Sequence, residues 1–119
     1  MTPVMIQTAG TNTHINKCRG ISKREKDTVV LSAGHLSNPP RMCGYGNLQE
    51  KIETTKNFLK EKCEKKLNNI VRKGVLAAKQ GKDVIVVCKF GNYRSRAVAE
   101  LIGDNFHPSR VFYVHREYY

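Results

Sequence analysis

The stretch VIVVCKFGNYRSRAVAELI, residues 84–102, decides the fold class because it joins two different periodicities. Five apolar residues, 84–88, run without a break, as in a strand of a parallel sheet that is buried on both faces. A turn with Gly91 follows, and then apolar residues recur at helical spacing from about Arg94 to Phe106. The stretch therefore predicts a strand, a short loop and a helix that begins where the loop ends.

The flanking sequence supplies three more strands and one long helical segment. Short runs rich in β-branched and apolar residues predict strands at residues 3–8, 28–34 and 110–116. Between Leu48 and Gln80, apolar residues fall on one face of a helix, with a break or kink at Gly74 and a C-terminal cap at Gly81. The order predicts a single α/β domain over residues 1–119, with three layers and a short, mostly parallel sheet joined by right-handed crossovers.

Composition indicates one globular domain with an affinity for anions. The chain has 119 residues, and two domains would each be too small to bury a useful core. The formal net charge is +11, from 21 Lys and Arg against 10 Asp and Glu. That excess favours nucleic acid, phosphorylated ligands or acidic membrane surfaces. The alternative is a basic surface that is merely solvated.

The four cysteines predict neither a zinc site nor a disulfide framework. They stand at positions 18, 43, 63 and 88, without any CxxC or HxxxH motif. We therefore expect reduced thiols, no metal and no cofactor. The chain also has no apolar run near 18 residues and no signal peptide, so we expect a cytoplasmic protein without a membrane partner.

The turn after the buried strand fits the pattern C-x5-R-S, with Cys88, Arg94 and Ser95. A loop of this length that curls onto a helix N-terminus points several backbone N–H groups inward, where they attract anions. Gly91 permits backbone angles closed to other residues. Arg94 can offer a planar pair of donors to two oxygens, and Ser95 can cap the helix or hydrogen-bond the sulfur. The pattern is not a Walker loop, because GxxxxGK[ST] is absent.

We therefore predict a phosphate-binding turn. Its ligand-binding residues are Cys88, Lys89, Phe90, Gly91, Asn92, Tyr93, Arg94 and Ser95. Tyr93 could stack on a base, or it could pack on the helix. The alternative for the whole stretch is an ordinary strand–helix turn with a buried cysteine.

The turn resembles that of the cysteine-dependent protein tyrosine phosphatases. The resemblance implies that Cys88 is the nucleophile, that Arg94 grips the phosphoryl group and that Ser95 assists the leaving thiolate. Such enzymes also need a carboxylic acid to protonate the leaving oxygen. Asp83 begins the strand that Cys88 ends, about 16 Å away at ~3.3 Å per residue. Asp104 lies about 15 Å along the helix from Arg94 at ~1.5 Å per residue. A phosphatase is therefore the alternative function.

A longer part of the chain resembles the C-terminal-domain family of the RapZ RNase adapters. Three short motifs carry the resemblance: Cys88-x-x-Gly91-x-x-Arg94-Ser95, Leu36-x-Asn38-Pro39 followed by Gly46, and His115-Arg116. Together they span about residues 28–117. The resemblance implies an α/β domain with a phosphate-type pocket. It also implies recognition of RNA or a sugar phosphate, and a homo-oligomer.

Further polar residues are expected at the same edge of the sheet. If strands two, three and four are parallel neighbours, their carboxyl ends meet at one crevice. That arrangement would add His35, Asn38, Arg41, His115 and Arg116 to the site. Each has an alternative role: His35 as a loop cap, Asn38 as a turn former, and His115 with Arg116 as an exposed strand end.

We interpret the chain as a non-catalytic binder of a nucleotide, a sugar phosphate or RNA. Replacing Arg94 by alanine is expected to abolish phosphate binding and to leave folding nearly intact. A third function is a basic RNA-binding module that works through surface charge, including the polar loop 10–27. No RRM, KH or zinc-finger signature supports sequence-specific readout.

Overall fold

A computed structural model of the chain describes residues 3–10, 28–37, 47–88 and 93–115. Four strands are present in these ranges: β1 Val4–Ala9, β2 Thr28–Ser32, β3 Asp83–Val87 and β4 Val111–His115. Three α-helices accompany them: α1 Leu48–Lys62, α2 Glu64–Lys79 and α3 Arg94–Gly103. A 3₁₀ turn, Pro108–Arg110, leads into β4.

The four strands form one sheet in the order β2-β3-β1-β4, and every described pair is parallel. The α/β class is therefore confirmed. The expected adjacency of strands two, three and four is wrong for β4, because β1 lies between β3 and β4. Burial explains the order: Ile6 in β1 and Val84 in β3 are fully buried, whereas β4 exposes Phe112 and Tyr113 and takes the edge.

The sheet register sorts the core into two faces. Ile6 pairs with Val84, and Val84 pairs in turn with Val29, so these side chains share one face. That face packs against all three described helices through Leu59, Leu67, Ile102 and their neighbours. The other face carries a smaller cluster of Ala9, Ile85 and Val87. The uninterrupted apolar run of β3 is thus buried on both sides, as its composition predicts. The described helices and the sheet make two layers, and the third layer stays a prediction.

The long helical segment is two helices that meet at Cys63, not one helix with a kink at Gly74. Cys63 leaves the helical conformation, with φ −132° and ψ 32°, and ends α1 while it begins α2. Its sulfur accepts a hydrogen bond of 3.4 Å from the backbone N–H of Ser37. Hydrogen bonding from Ser37 lowers the pKa of the Cys63 thiol. Gly74 lies inside α2, where a Cβ would collide with Ile102 of α3.

Local signals fix the helix ends. Asn47 caps α1 by accepting from the N–H of Glu50 at 2.9 Å, and the Glu50 carboxylate accepts from the Asn47 amide at 3.0 Å. Gly81 follows α2 at φ 78°, the left-handed conformation that favours glycine, which confirms the expected cap. Within the described ranges, no helix is both long enough and apolar enough to span a bilayer.

Candidate functional site

The candidate site lies at the carboxyl edge of the parallel sheet, between β3 and α3. Two backbone hydrogen bonds extend the strand pairing there: Ala33 N–H donates to Val87 O at 2.7 Å, and Cys88 N–H donates to Ala9 O at 3.2 Å. Cys88 is therefore fixed beside the ends of the neighbouring strands. Ligands of open α/β sheets bind at this edge, outside the carboxyl ends of the strands.

Cys88 and Ser95 contact each other across the turn. The Cys88 thiol donates to Ser95 Oγ at 3.4 Å, and both side chains are buried. From the sequence, Ser95 could either cap the helix or hydrogen-bond the sulfur. The structure shows the hydrogen bond with the sulfur. The residue that caps α3 is Tyr93, whose side chain makes no capping hydrogen bond. The first backbone N–H groups of α3 are therefore not capped by that side chain.

Arg94 is buried, with 7% of its surface exposed, and its guanidinium holds the loop that follows β2. Its Nη1 donates to the carbonyl of Gly34 at 3.1 Å and to the carbonyl of Leu36 at 2.9 Å. Neither bond uses Nη2 or Nε. Among the described residues, no carboxylate lies within ion-pair distance of this guanidinium. Arg94 thus ties two sequence motifs together, the C-x5-R-S turn and the loop that begins with Leu36.

The first turn of α3 carries two arginines and no acid. Arg94 and Arg96 are both buried there. By contrast, α1 and α2 each begin with a glutamate, Glu50 and Glu64, as the helix dipole favours. The Arg94 guanidinium at the positive end of a helix dipole produces a positive potential that favours an anion.

A lysine from α1 lies close to the same helix end. The Nζ atom of Lys51 is 6.0 Å from the centroid of the Tyr93 ring, within the range of a cation–π contact. Both side chains are partly exposed. Sequence reasoning missed Lys51. The sequence feature that could have identified Lys51 is its position in the first turn of α1, shortly after the Asn47 cap, because the helix dipole disfavours a cation there.

His115 reaches the same edge, but two strands away from Cys88. It pairs in register with Thr8, and Thr8 Oγ1 and His115 Nδ1 share a hydrogen bond of 2.8 Å. The imidazole also stacks on Tyr113, with centroids 5.8 Å apart. The expected direct grouping of His115 with Cys88 is wrong, since β1 intervenes. Thr8, which sequence reasoning also missed, is the buried residue that orients this ring.

The remaining expected site residues divide into two groups. His35 is exposed, between the two residues whose carbonyls bind Arg94. The others lie outside the described residues: Asn38, Arg41, Lys89, Phe90, Gly91, Asn92 and Arg116.

Three of the described acidic residues lie away from Cys88. Asp83 accepts from the N–H of Met5 at 3.0 Å, at the opposite edge of the sheet. Glu100 pairs with Lys56 at 2.9 Å, and Asp104 caps the far end of α3. In the same part of the chain, no three residues among His, Cys, Asp and Glu cluster as metal ligands would. Asp83 and Asp104, the two aspartates considered from the sequence, are therefore not placed to act as a general acid at Cys88.

Comparisons with protein-family models, curated proteins and solved structures found no match to this chain. The functional argument consequently rests on the geometry of the site.

Proposed function

We propose that this protein binds a phosphorylated ligand, without catalysis, at the turn between β3 and α3. The ligand is a nucleotide, a sugar phosphate or RNA. The observation that carries the proposal is the buried guanidinium of Arg94, held by Nη1 at a helix N-terminus that has no acid in its first turn. A buried cation without a counter-charge is unstable, and a bound dianion would supply the missing charge.

The placement of Arg94 suits a phosphoryl group. Two carbonyls fix Nη1, so the guanidinium plane is set before any ligand arrives. The donors outside these two bonds, Nη2 and Nε, form the planar pair that matches two oxygens of a phosphate. The first turn of α3, which the Tyr93 side chain does not cap, can add backbone N–H donors to an anion at this helix end. This preorganisation reduces the entropic cost of binding.

The link between Arg94 and Leu36 also supports the resemblance to the RapZ C-terminal-domain family. That resemblance depends on a turn around Arg94 and a loop that begins at Leu36, and a hydrogen bond of 2.9 Å joins the two. We also propose that the protein is cytoplasmic and that it forms a homo-oligomer.

Arg94→Lys is the sharpest test of the proposed function. The structure changes the earlier expectation for Arg94→Ala, because alanine would leave two carbonyls without their donor and destabilise the fold by about 1–3 kcal/mol. Lysine keeps the charge and N–H donors for the carbonyls but loses the planar pair of donors. We expect the affinity for inorganic phosphate, measured by calorimetry, to fall about tenfold or more, since a charged hydrogen bond contributes about 1.5–3 kcal/mol.

The matched control is Arg72→Lys, an exposed arginine of α2 that bonds only to Asn69 among the described residues. It should bind phosphate like the wild type. Equal affinities for the wild type and Arg94→Lys, with both proteins folded by circular dichroism, would reject the site.

The contact between Cys88 and Ser95 is the one observation that favours the phosphatase alternative. A hydroxyl 3.4 Å from the sulfur could stabilise a thiolate that leaves the phosphoryl group. The non-catalytic function is preferred because neither Asp83 nor Asp104 lies where it could protonate the leaving oxygen.

A further inference from the structure

We infer that Lys51 is a second anion-binding residue of this site and that the ligand is a nucleotide with a second phosphate. The inference rests on the proposed function. Lys51 comes from α1, whereas Arg94 opens α3, so the two cations belong to different elements that meet at one edge. Tyr93 immediately precedes Arg94 in the chain, and its ring contacts the ammonium group of Lys51.

The charge of Lys51 is the first argument. On the same helix, Lys56 is buried and neutralised by Glu53 at 3.0 Å and Glu100 at 2.9 Å. Lys51 has no such partner among the described carboxylates. It also lies in the first turn of α1, where the helix dipole disfavours a cation by about 0.3–1 kcal/mol. A bound anion would offset that cost.

The ring of Tyr93 is the second argument. It is partly exposed, immediately precedes the buried Arg94 and lies beneath the ammonium group of Lys51. An aromatic face beside a phosphate site is where a nucleobase stacks, because every base offers a flat surface. Because the Tyr93 ring contacts Lys51, a ligand with one phosphate at Arg94 and its base against Tyr93 would lie beside the Lys51 ammonium group, which could bind a second phosphate. A nucleoside 3′,5′-bisphosphate, a nucleoside with both of the phosphates that flank it in an RNA strand, carries these three groups.

The test compares adenosine 5′-monophosphate with adenosine 3′,5′-bisphosphate by calorimetry. We expect the bisphosphate to bind the wild type about tenfold tighter, as one added charged hydrogen bond implies. Lys51→Met should remove most of this gain, measured as the ratio of the bisphosphate affinity to the monophosphate affinity of the same protein. Lys65→Met, an exposed lysine of α2, is the matched control and should keep the full gain.

The outcomes separate this inference from the proposed function. Suppose that Arg94→Lys weakens binding of inorganic phosphate but Lys51→Met still binds the bisphosphate more tightly than the monophosphate, by the wild-type factor. The inference about Lys51 is then wrong, and the phosphate site at Arg94 stands. If neither nucleotide nor phosphate binding depends on Arg94, both are wrong. A 5′-phosphorylated hexauridylate distinguishes the source: tighter, Lys51-dependent binding of the strand indicates RNA, and weaker binding indicates a free nucleotide.

Discussion

Among single residues, Arg94 shows how far a motif predicts a site. The pattern C-x5-R-S places a cysteine, an arginine and a serine around one turn, and the contact between Cys88 and Ser95 agrees with it. The pattern could not predict that Arg94 also binds the carbonyls of Gly34 and Leu36, about 60 residues earlier in the chain. Contacts between residues so far apart in the chain depend on how two loops pack together. The spacing of residues within one motif carries no information about that packing.

Cys88 carries the prediction that separates binding from catalysis. We expect no hydrolysis of p-nitrophenyl phosphate by the wild type above the rate of Cys88→Ser, because neither Asp83 nor Asp104 is placed to protonate the leaving oxygen. The serine variant should still bind phosphate within about threefold, since Arg94 and the α3 N-terminus remain. Release of nitrophenolate is followed by absorbance. Turnover that the serine substitution removes would establish the phosphatase instead.

Among the secondary-structure elements, sequence periodicity predicted well which segments are strands or helices. It predicted poorly how these elements are arranged in the fold. All four strands and the segment of α3 lie near their expected positions. The break at Cys63 was missed because the apolar stripe of the helices continues through it. The position of β4 was missed because strand order depends on which strands expose their faces, and short apolar runs do not reveal that.

The contact between α2 and α3 yields a prediction at this scale. Gly74→Ala would place a methyl group against the side chain of Ile102, which is fully buried. Overpacking of this kind costs about 1–3 kcal/mol, and the better helix propensity of alanine returns only about 1 kcal/mol. We expect a net loss in the free energy of unfolding, measured by urea denaturation.

Ile102→Val provides the control for this packing argument. Valine lacks the terminal methyl group that a Cβ at Gly74 would meet, so the double variant should lose less stability than the two single variants together. Simple additivity would show that the alanine methyl does not meet Ile102.

For the whole molecule, the net charge of +11 must be separated from the site around Arg94. Both attract phosphates, but they differ in their response to salt. A surface that contacts six or more phosphates of a polyanion loses about 10³-fold in affinity between 50 and 200 mM salt. A site that binds a single phosphate ion releases no condensed counterions, so its affinity should fall much less over the same range, through ordinary screening.

We therefore expect two salt dependences in one protein. Inorganic phosphate should bind the wild type with a shallow slope and Arg94→Lys about tenfold or more weakly, because that binding belongs to a single buried guanidinium. A long oligoribonucleotide should bind with a steep slope at low salt in both proteins, because dispersed lysines and arginines dominate there. Fluorescence anisotropy of labelled RNA, alongside calorimetry of phosphate, measures the two slopes. If phosphate binding to Arg94→Lys follows the wild-type slope and affinity, the charge of the whole surface accounts for anion binding and the turn is an ordinary strand–helix connection.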